Sequence, residues 1–228
     1  MTFTDLLPAG TVANDGQFPA MQDATAEMRA AHDATVLVPL SHLSRLHADG
    51  EDASAFLHNL LTQDVKGLPA NAARLAGFCS AKGRRLAAFT IWGEGSAVVV
   101  QLPTALAEPM RKKLSMYVLR SKVTLSDSSA ARPALGLAGG NAVAALGAAG
   151  LTVPADVMTT AGTDDVTVLK LAEDRFEIVL PAERLATLWG ALSAHATPAG
   201  TPVWRRFDIR DGLVSVWPET QESFVPQM

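Results

Sequence analysis

The sequence is poor in residues that form covalent cross-links, membrane spans and strongly charged surfaces. Cys79 is the single cysteine among 228 residues, so no disulfide can form within the chain, which favours a reducing compartment. No run of about 18 apolar residues occurs, so no membrane-spanning helix is predicted. Lys and Arg number 19 against 23 Asp and Glu, and the net charge of -4 gives the chain as a whole no attraction to nucleic acids or anionic membranes.

The N-terminal segment also lacks the features of a targeting signal. The stretch MTFTDLLPAGTVANDGQFPAM contains an early acid, no Lys or Arg and no apolar core. Its Pro, Gly and small polar residues predict a weakly ordered lead-in. We therefore expect a cytoplasmic protein with no membrane partner.

The first half of the chain contains the patterns of an α+β module. With 48% hydrophobic residues the chain can bury one large core or two small ones. TVLVPLSHLSRLHADG predicts a strand and a turn, and EDASAFLHNLL has helical spacing. Three strand-like runs separated by Lys82-Gly83 and Glu94-Gly95 predict an antiparallel meander. A helix from Pro103 and a strand over RSKVTLSD complete the pattern.

The second half repeats this pattern in shorter form. ALGLAG predicts a strand, NAVAALGAAG a helix, DDVTVLKLA and RFEIVLP a hairpin, and AERLATLWGALSAHA a helix. We predict two similar mixed modules with antiparallel sheets, a pattern that suggests a diverged repeat. The predicted divisions are an N-terminal extension, 1–34; a first module, 35–130, on which part of the final segment packs back; and a second module with the C-terminal segment, 131–228.

Four segments, in order along the chain, carry a resemblance to a known family. They are LHADGEDASAFLHNLLTQDV, CSAKGRRLAAFTIW, YVLRSKVTLSD and RFDIRDGLVSVWPETQESFVPQM. Together they resemble the YgfZ family over roughly residues 36–228. This family comprises folate-binding relatives of the aminomethyltransferase (T-protein) of the glycine cleavage system, together with mitochondrial iron–sulfur assembly factors.

The resemblance implies a fold, a cofactor and partners. The fold is that of the aminomethyltransferase folate-binding region, with a central hole that holds tetrahydrofolate or a related folate. The implied role is support of iron–sulfur cluster assembly or repair, with iron–sulfur proteins as clients, and of the tRNA modification that depends on them.

Two departures from the family pattern bear on activity. The acidic pair of the true aminomethyltransferases falls on or near Leu86 and Ala87, whose side chains cannot carry a proton. No catalytic residue is therefore predicted, and turnover by this chain is not expected. The family's K-G-C-x-x-G-Q-E motif and C-terminal barrel domain would follow Met228, so either the chain is a fragment, which we favour, or the protein lacks the family's signature.

The cationic candidates for folate binding are Arg120, Lys122 and Lys82. Arg120 and Lys122 alternate on the predicted strand and therefore share one face. That face is either a solvated edge strand or a cationic wall for the carboxylates of the folate tail, which a guanidinium can pair with. Lys82 lies in a hairpin turn that approaches the ligand in the related transferases.

The remaining candidates are Asp64, Asp211, Trp217 and Glu219. Asp64 either closes a helix end or lines the pterin pocket. Asp211, or Asp208 beside it, can grip an amino-pyrimidinone edge with two hydrogen bonds, or can lie on an exposed helix face. Glu219 follows a proline, and Trp217 can supply an aromatic wall; otherwise both lie in a plain loop.

Metal binding and direct tRNA contact have weaker support in the sequence. The five histidines are not spaced as metal ligands with Cys79 or a carboxylate, so no metal site is predicted. Short basic runs such as 111–113 splay around a helix. A folate-dependent aminomethyltransferase and a tRNA-binding module nevertheless stay open as alternative functions.

Overall fold

Two sheets, each with its own apolar core, organise the chain. The structure is a computed structural model that describes residues 2–6, 17–21, 23–163 and 165–227. The chain divides into two units: Met1–His42 with Ala130–Leu213, called here the six-stranded unit, and Leu43–Ser129 with Val214–Met228, called the five-stranded unit. The predicted α+β class is confirmed.

Helices and strands follow one another in two similar runs. In chain order they are α1 (Ala24–Asp33), β1 (Val36–Pro39), β2 (Leu43–Asp49), α2 (Ala53–Leu60), β3 (Ala73–Cys79), β4 (Arg85–Glu94), β5 (Ala97–Pro103), α3 (Thr104–Ser115), β6 (Thr124–Asp127), β7 (Ala134–Ala138), α4 (Ala142–Ala148), β8 (Thr159–Gly162), β9 (Thr167–Ala172), β10 (Arg175–Val179), α5 (Leu185–Ser193), β11 (Thr197–Pro198) and α6 (Thr201–Asp211).

The strand orders of the two sheets show that the modules are related. The five-stranded sheet has the order β3-β4-β5-β2-β6, and the six-stranded sheet has the order β8-β9-β10-β7-β1-β11. Each unit runs strand, helix, three strands, helix, strand, and equivalent strands take equivalent places. β1 is the addition: it pairs antiparallel with β7 and parallel with β11. The predicted pair of similar modules is thus present, with one strand inserted.

In the five-stranded unit, two helices cover one face of the sheet. Alternate residues of the strands point to that face, as the period of a strand requires. They bury against apolar residues of α2, such as Phe56 and Leu57, and of α3, such as Met110 and Leu114. This packing fixes the position of α2, which forms one wall of the groove described below.

In the six-stranded unit, helices pack on both faces of the sheet. Leu135 and Leu137 of β7 bury against the helices α4 and α5. Gly136 lies between them and points the opposite way, and a Cβ atom there would stand 2.4 Å from the indole of Trp204 on α6. The glycine therefore lets α6 lie directly on the second face.

Three predictions about elements and limits need correction. The single strand predicted over 35–50 is two strands, β1 and β2, which belong to different sheets. The predicted limits 1–34, 35–130 and 131–228 therefore differ from the observed division, because β1 joins the second module. The strand predicted over RSKVTLSD begins only at Thr124, so Arg120 and Lys122 precede it. The short strands β8 and β11 were missed.

Candidate functional site

A groove in the five-stranded unit is the best candidate for a ligand site. Its volume is about 820 Å³, within the range typical of small-molecule sites. One wall is α2 and the other is the connector between α3 and β6. The lining residues are Asp52, Ala55, Phe56, Asn59, Leu60, Tyr117, Val118, Leu119, Arg120 and Ser121.

The α2 wall follows from helical spacing. Asp52, Phe56 and Asn59 are three or four residues apart, so they lie along one side of the helix. Phe56 is buried and anchors this side in the core, whereas Asn59 is exposed. Within the described part of the chain the amide of Asn59 makes no side-chain hydrogen bond. This wall therefore offers an apolar surface with a free donor and acceptor beside it.

The connector wall displays apolar side chains at a strained turn. Leu119 has a φ of 45°, a left-handed conformation that is uncommon for a residue with a side chain, and 89% of its surface is exposed. Tyr117 is partly exposed, and its ring meets Phe78 edge to face at 6.1 Å. Strain held in an exposed apolar segment is typical of binding sites, because local packing does not require it.

The two walls are tied together at one end of the groove. Gly50 has a φ of 126°, and a Cβ atom there would stand 2.0 Å from the backbone oxygen of Lys122. The backbone N–H of Lys122 donates to Asp52 Oδ2 at 2.8 Å, and its ammonium group pairs with Glu51. The carboxylate of Asp52 thus bridges the walls instead of capping α2, so the width of the groove is fixed by local contacts.

Among the predicted site residues, Arg120 is the one that lines the groove. Its side chain is exposed and makes no ion pair within the described residues. The predicted shared strand face for Arg120 and Lys122 is wrong, since both lie in the connector. Leu119 turns the backbone left-handed just before Arg120, and Lys122 donates its N–H to Asp52 rather than to a strand.

Asp64 is held by its own turn. Its Oδ1 accepts the N–H of Gly67 at 2.9 Å and lies 3.1 Å from His58 Nδ1, while Arg74 lies at 3.7 Å from Oδ2. The bond from Gly67 is the main reason that the pKa of Asp64 is lowered. Asp64 is absent from the groove lining. These contacts match the helix-closing role, and the pterin role stays a prediction.

Lys82 and the C-terminal candidates occupy two other places on the five-stranded unit. Lys82 is exposed in the hairpin between β3 and β4, whose Gly83 has a φ of 71°. Trp217 is half-buried beside a short 3-10 helix, Pro218–Thr220, that carries the exposed Glu219. None of the three lines the groove in the part of the chain that the structure describes.

The C-terminal segment is held against the start of β4. The N–H of Glu222 donates to the carbonyl of Arg85 at 2.9 Å, and the N–H of Arg85 donates to the carbonyl of Phe224 at 2.8 Å. The side-chain amide of Gln221 also donates to the carbonyl of Leu86 at 2.8 Å. These hydrogen bonds fix the place of Trp217 and Glu219 within the five-stranded unit.

Asp211 belongs to an ion network in the six-stranded unit. The fully buried guanidinium of Arg175 donates to Asp208 at 2.5 Å and to Asp211 at 3.2 Å. It also stacks 3.9 Å from the ring centre of Trp204, and Arg210 donates to Asp211 at 2.6 Å. Both oxygens of Asp211 therefore already accept from arginine. Burial raises the pKa of Asp208, although Arg175 opposes this shift.

Sequence reasoning missed most of the residues that form the groove. Asp52, Phe56 and Asn59 could have been found from their spacing on one side of a predicted helix. Tyr117 is the single tyrosine of the chain and stands three residues before Arg120. Nothing in the sequence predicted that these two segments lie opposite each other, because the contact depends on Gly50.

The described residues offer neither a metal-binding cluster nor a membrane-spanning helix. No group of three or more His, Cys, Asp or Glu side chains within them could hold a metal ion. No helix within them combines the length and the apolar character that crossing a bilayer requires.

Comparison with known proteins identifies relatives over most of the chain. Residues 8–203 match the family described as GCVT N-terminal domain. The chain is 27% identical over 204 residues to the tRNA-modifying protein YgfZ of Edwardsiella ictaluri, covering 88% of this chain and 61% of that protein. It is 25% identical over 200 residues to the protein of the same name from Serratia proteamaculans, covering 87% and 60%. The predicted resemblance is confirmed, and the chain spans about three-fifths of the length of these relatives.

A solved structure shows the same fold. The glycine cleavage system aminomethyltransferase T of Bartonella henselae superposes with a TM-score of 0.80 at 19% identity, covering 93% of this chain and 61% of that one. At this identity the likeness supports the fold and carries no residue roles.

Proposed function

We propose that this chain, which belongs to the GCVT N-terminal domain family, binds a tetrahydrofolate-type ligand in the groove of the five-stranded unit. The observation that carries the proposal is the unpaired guanidinium of Arg120 on the rim of an apolar groove. A folate combines a flat ring system with a carboxylate tail, and the groove offers a matching surface for each part.

The groove chemistry supports the ring end of this ligand. Phe56 and Leu60 on one wall, and Tyr117 on the other, offer apolar and aromatic surface for a pteridine. Asn59 adds a donor and an acceptor that can meet the amino-pyrimidinone edge. A site with a largely apolar lining and a few polar groups is the usual form of a small-molecule pocket.

Arg120 supports the tail end. A guanidinium can bind a carboxylate through two parallel hydrogen bonds, and such charge-assisted bonds are stronger than neutral ones. Lys82, Lys122, Asp64, Asp211, Trp217 and Glu219 remain proposals of lower support, because other contacts hold them or they lie away from the groove lining.

We infer the wider cellular role from the names of the relatives. The relatives named above are called tRNA-modifying proteins, and we extend a YgfZ-type role to this chain. In that role a folate-bound protein supports iron–sulfur cluster assembly or repair, with iron–sulfur proteins as clients and with dependent tRNA modification as the outcome. One-carbon transfer is less well supported, because Leu86 and Ala87 are buried apolar residues where acids would be needed.

Direct tRNA binding also has little support in the charges of α3. Within the basic run of that helix, Arg111 and Lys112 both pair with Glu108, at 2.8 and 3.2 Å. A tRNA-binding module would show affinity that falls steeply with salt. Titration of tRNA at two salt concentrations tests this alternative.

Calorimetric titration of tetrahydrofolate into the wild-type chain and into Arg120→Ala tests the main proposal. Loss of a charge-assisted hydrogen bond predicts a roughly 10- to 100-fold weaker affinity. The unfolding midpoint should not change, since Arg120 is exposed and unpaired. Lys66→Ala is the matched control, because Lys66 is an exposed cation of the same unit outside the groove lining. Equal affinity of the three proteins, or no binding by the wild type, would reject the proposal.

A further inference from the structure

The charges at the rim of the groove bear on the length of the ligand's tail, an inference that rests on the proposed function. Among the described residues that line the groove, Arg120 is the one cation and Asp52 the one anion. Lys122 stands two residues beyond Arg120 and would be the natural second cation for a tail with several carboxylates. Its ammonium group, however, pairs with Glu51.

The Glu51–Lys122 pair is next to the groove without being part of its lining. Glu51 precedes Asp52, whose Oδ2 accepts the backbone N–H of Lys122 at 2.8 Å. Both side chains of the pair are mostly exposed, at 65% and 74%. The pair is therefore open to solvent beside the groove, with Lys122 in the same connector as Arg120, and its position is fixed by the same contact that ties the walls together.

We propose that Glu51 is a specificity determinant that keeps the groove from preferring folates with longer glutamate tails over the monoglutamate. With Glu51 in place, the rim carries two cations, Arg120 and Lys122, against two anions, Glu51 and Asp52. The first glutamate uses Arg120. Each further γ-glutamate adds one carboxylate to a rim whose remaining cation already has a partner, so the longer tail gains no attraction.

Removal of the Glu51 charge should create a preference that the wild type lacks. The variant Glu51→Gln keeps the size of the side chain and frees the Lys122 ammonium group. Two unit charges about 4 Å apart in water attract by an amount that corresponds to roughly a fivefold change in affinity. The exposure of Glu51 means that the variant should fold normally.

The experiment compares tetrahydrofolate with tetrahydropteroyltriglutamate on the full chain. For the wild type, the two dissociation constants should agree within about twofold. For Glu51→Gln, the triglutamate should bind about fivefold more tightly and the monoglutamate should be unaffected. The double variant Glu51→Gln, Lys122→Gln should return the ratio to the wild-type value. At about 1 M salt the gain should disappear, because the screening length falls to about 3 Å.

The outcomes separate this inference from the proposed function. A wild type that binds the triglutamate more than about tenfold tighter than the monoglutamate would overturn the inference and leave folate binding intact. An unchanged ratio in Glu51→Gln would do the same. If neither compound binds the wild type, both proposals fail together.

Discussion

The two units share one strand order and use their arginines in opposite ways. In the six-stranded unit, Arg175 is fully buried, its guanidinium donates to Asp208 and Asp211, and it stacks on the ring of Trp204. In the five-stranded unit, Arg120 stands exposed on a groove with no partner in the described residues. The comparison shows that the same topology can use an arginine in a buried ion network that joins a helix to the sheet, or can leave an arginine exposed and available to a ligand.

The difference has a local cause in the length of one connector. In the five-stranded unit, residues 116–123 join α3 to β6, and part of this stretch forms a wall of the groove. In the six-stranded unit, only residues 194–196 join α5 to β11. The shorter connector offers less chain to stand opposite a helix than the connector of the five-stranded unit does.

The units nevertheless share one feature, a glycine with a positive φ directly after a strand. Gly50 follows β2 with a φ of 126°, and Gly139 follows β7 with a φ of 124°. A Cβ atom at either position would lie within 2.2 Å of a backbone oxygen, that of Lys122 or that of Ala34. Each oxygen belongs to the segment that leads into the neighbouring strand, β6 or β1. β1 thus stands beside β7 as β6 stands beside β2.

The largest expected effect comes from removal of the buried cation. Arg175→Met leaves Asp208 and Asp211 without their buried partner, and loss of one member of such a pair typically costs about 3–5 kcal/mol in the free energy of unfolding. Chemical denaturation measures this cost. The same substitution at Arg120 is the control and should change the value by less than about 0.5 kcal/mol. Similar losses at the two positions would remove the contrast between the units.

An intermediate effect is expected at the two equivalent glycines. Gly50→Ala and Gly139→Ala each force a Cβ atom against a backbone oxygen at a positive φ, and we expect each to destabilise the fold by roughly 1–3 kcal/mol. Only Gly50→Ala should also weaken tetrahydrofolate binding, since it separates the walls of the groove. Denaturation and calorimetry together measure both effects.

Gly147→Ala is the control for these glycines. It lies in α4, and among the described residues no atom other than those of its own helix backbone and chain neighbours comes within 4 Å of a Cβ position. Alanine there should therefore be neutral or stabilising by up to about 1 kcal/mol. Equal loss of ligand affinity in the Gly50 and Gly139 variants would contradict the assignment of the groove to one unit.

The smallest expected effect concerns acid sensitivity in the six-stranded unit. The hydrogen bonds from Arg210 hold the pKa of Asp174 below its usual 3.8. A carboxyl group with a lower pKa in the folded than in the unfolded chain stabilises the fold above pH 3.8, and this contribution is lost as the pH falls below that value. In Asp174→Asn the free energy of unfolding should therefore fall less than in the wild type as the pH drops below 3.8. The difference should be less than about 1 kcal/mol, because the Asp174–Arg210 pair is partly exposed. If the free energy of unfolding falls with pH by the same amount in the variant and the wild type, the prediction is refuted.

Periodicity predicted the modules well, and long-range pairing explains what it missed. The meander from β3 to β5 and the helices have clear patterns of their own. β11 has two residues, too few for any pattern. The run over 35–50 mixes apolar and polar residues on both sides of the break between β1 and β2, so its pattern does not mark the change of sheet.

The candidate site was predictable only in its charge. Arg120 stood out as a cation in a family motif, although its strand was wrong. Asp211 was expected to be free for a ligand, but it is paired with Arg175, which lies 36 residues earlier and gives no local sign of the contact. The opposing wall depends on the contact between Gly50 and Lys122, which sequence spacing does not encode.

The inserted strand β1 sets a constraint on the order in which the protein can fold. β1 is synthesised before the whole of the segment Leu43–Ser129, but its partners β7 and β11 are synthesised after it. The five-stranded unit, apart from its C-terminal segment, can assemble from one continuous stretch of chain. During synthesis the apolar residues Val36–Val38 must therefore wait unpaired until the ribosome has passed residue 138, and contacts between such distant segments are formed slowly.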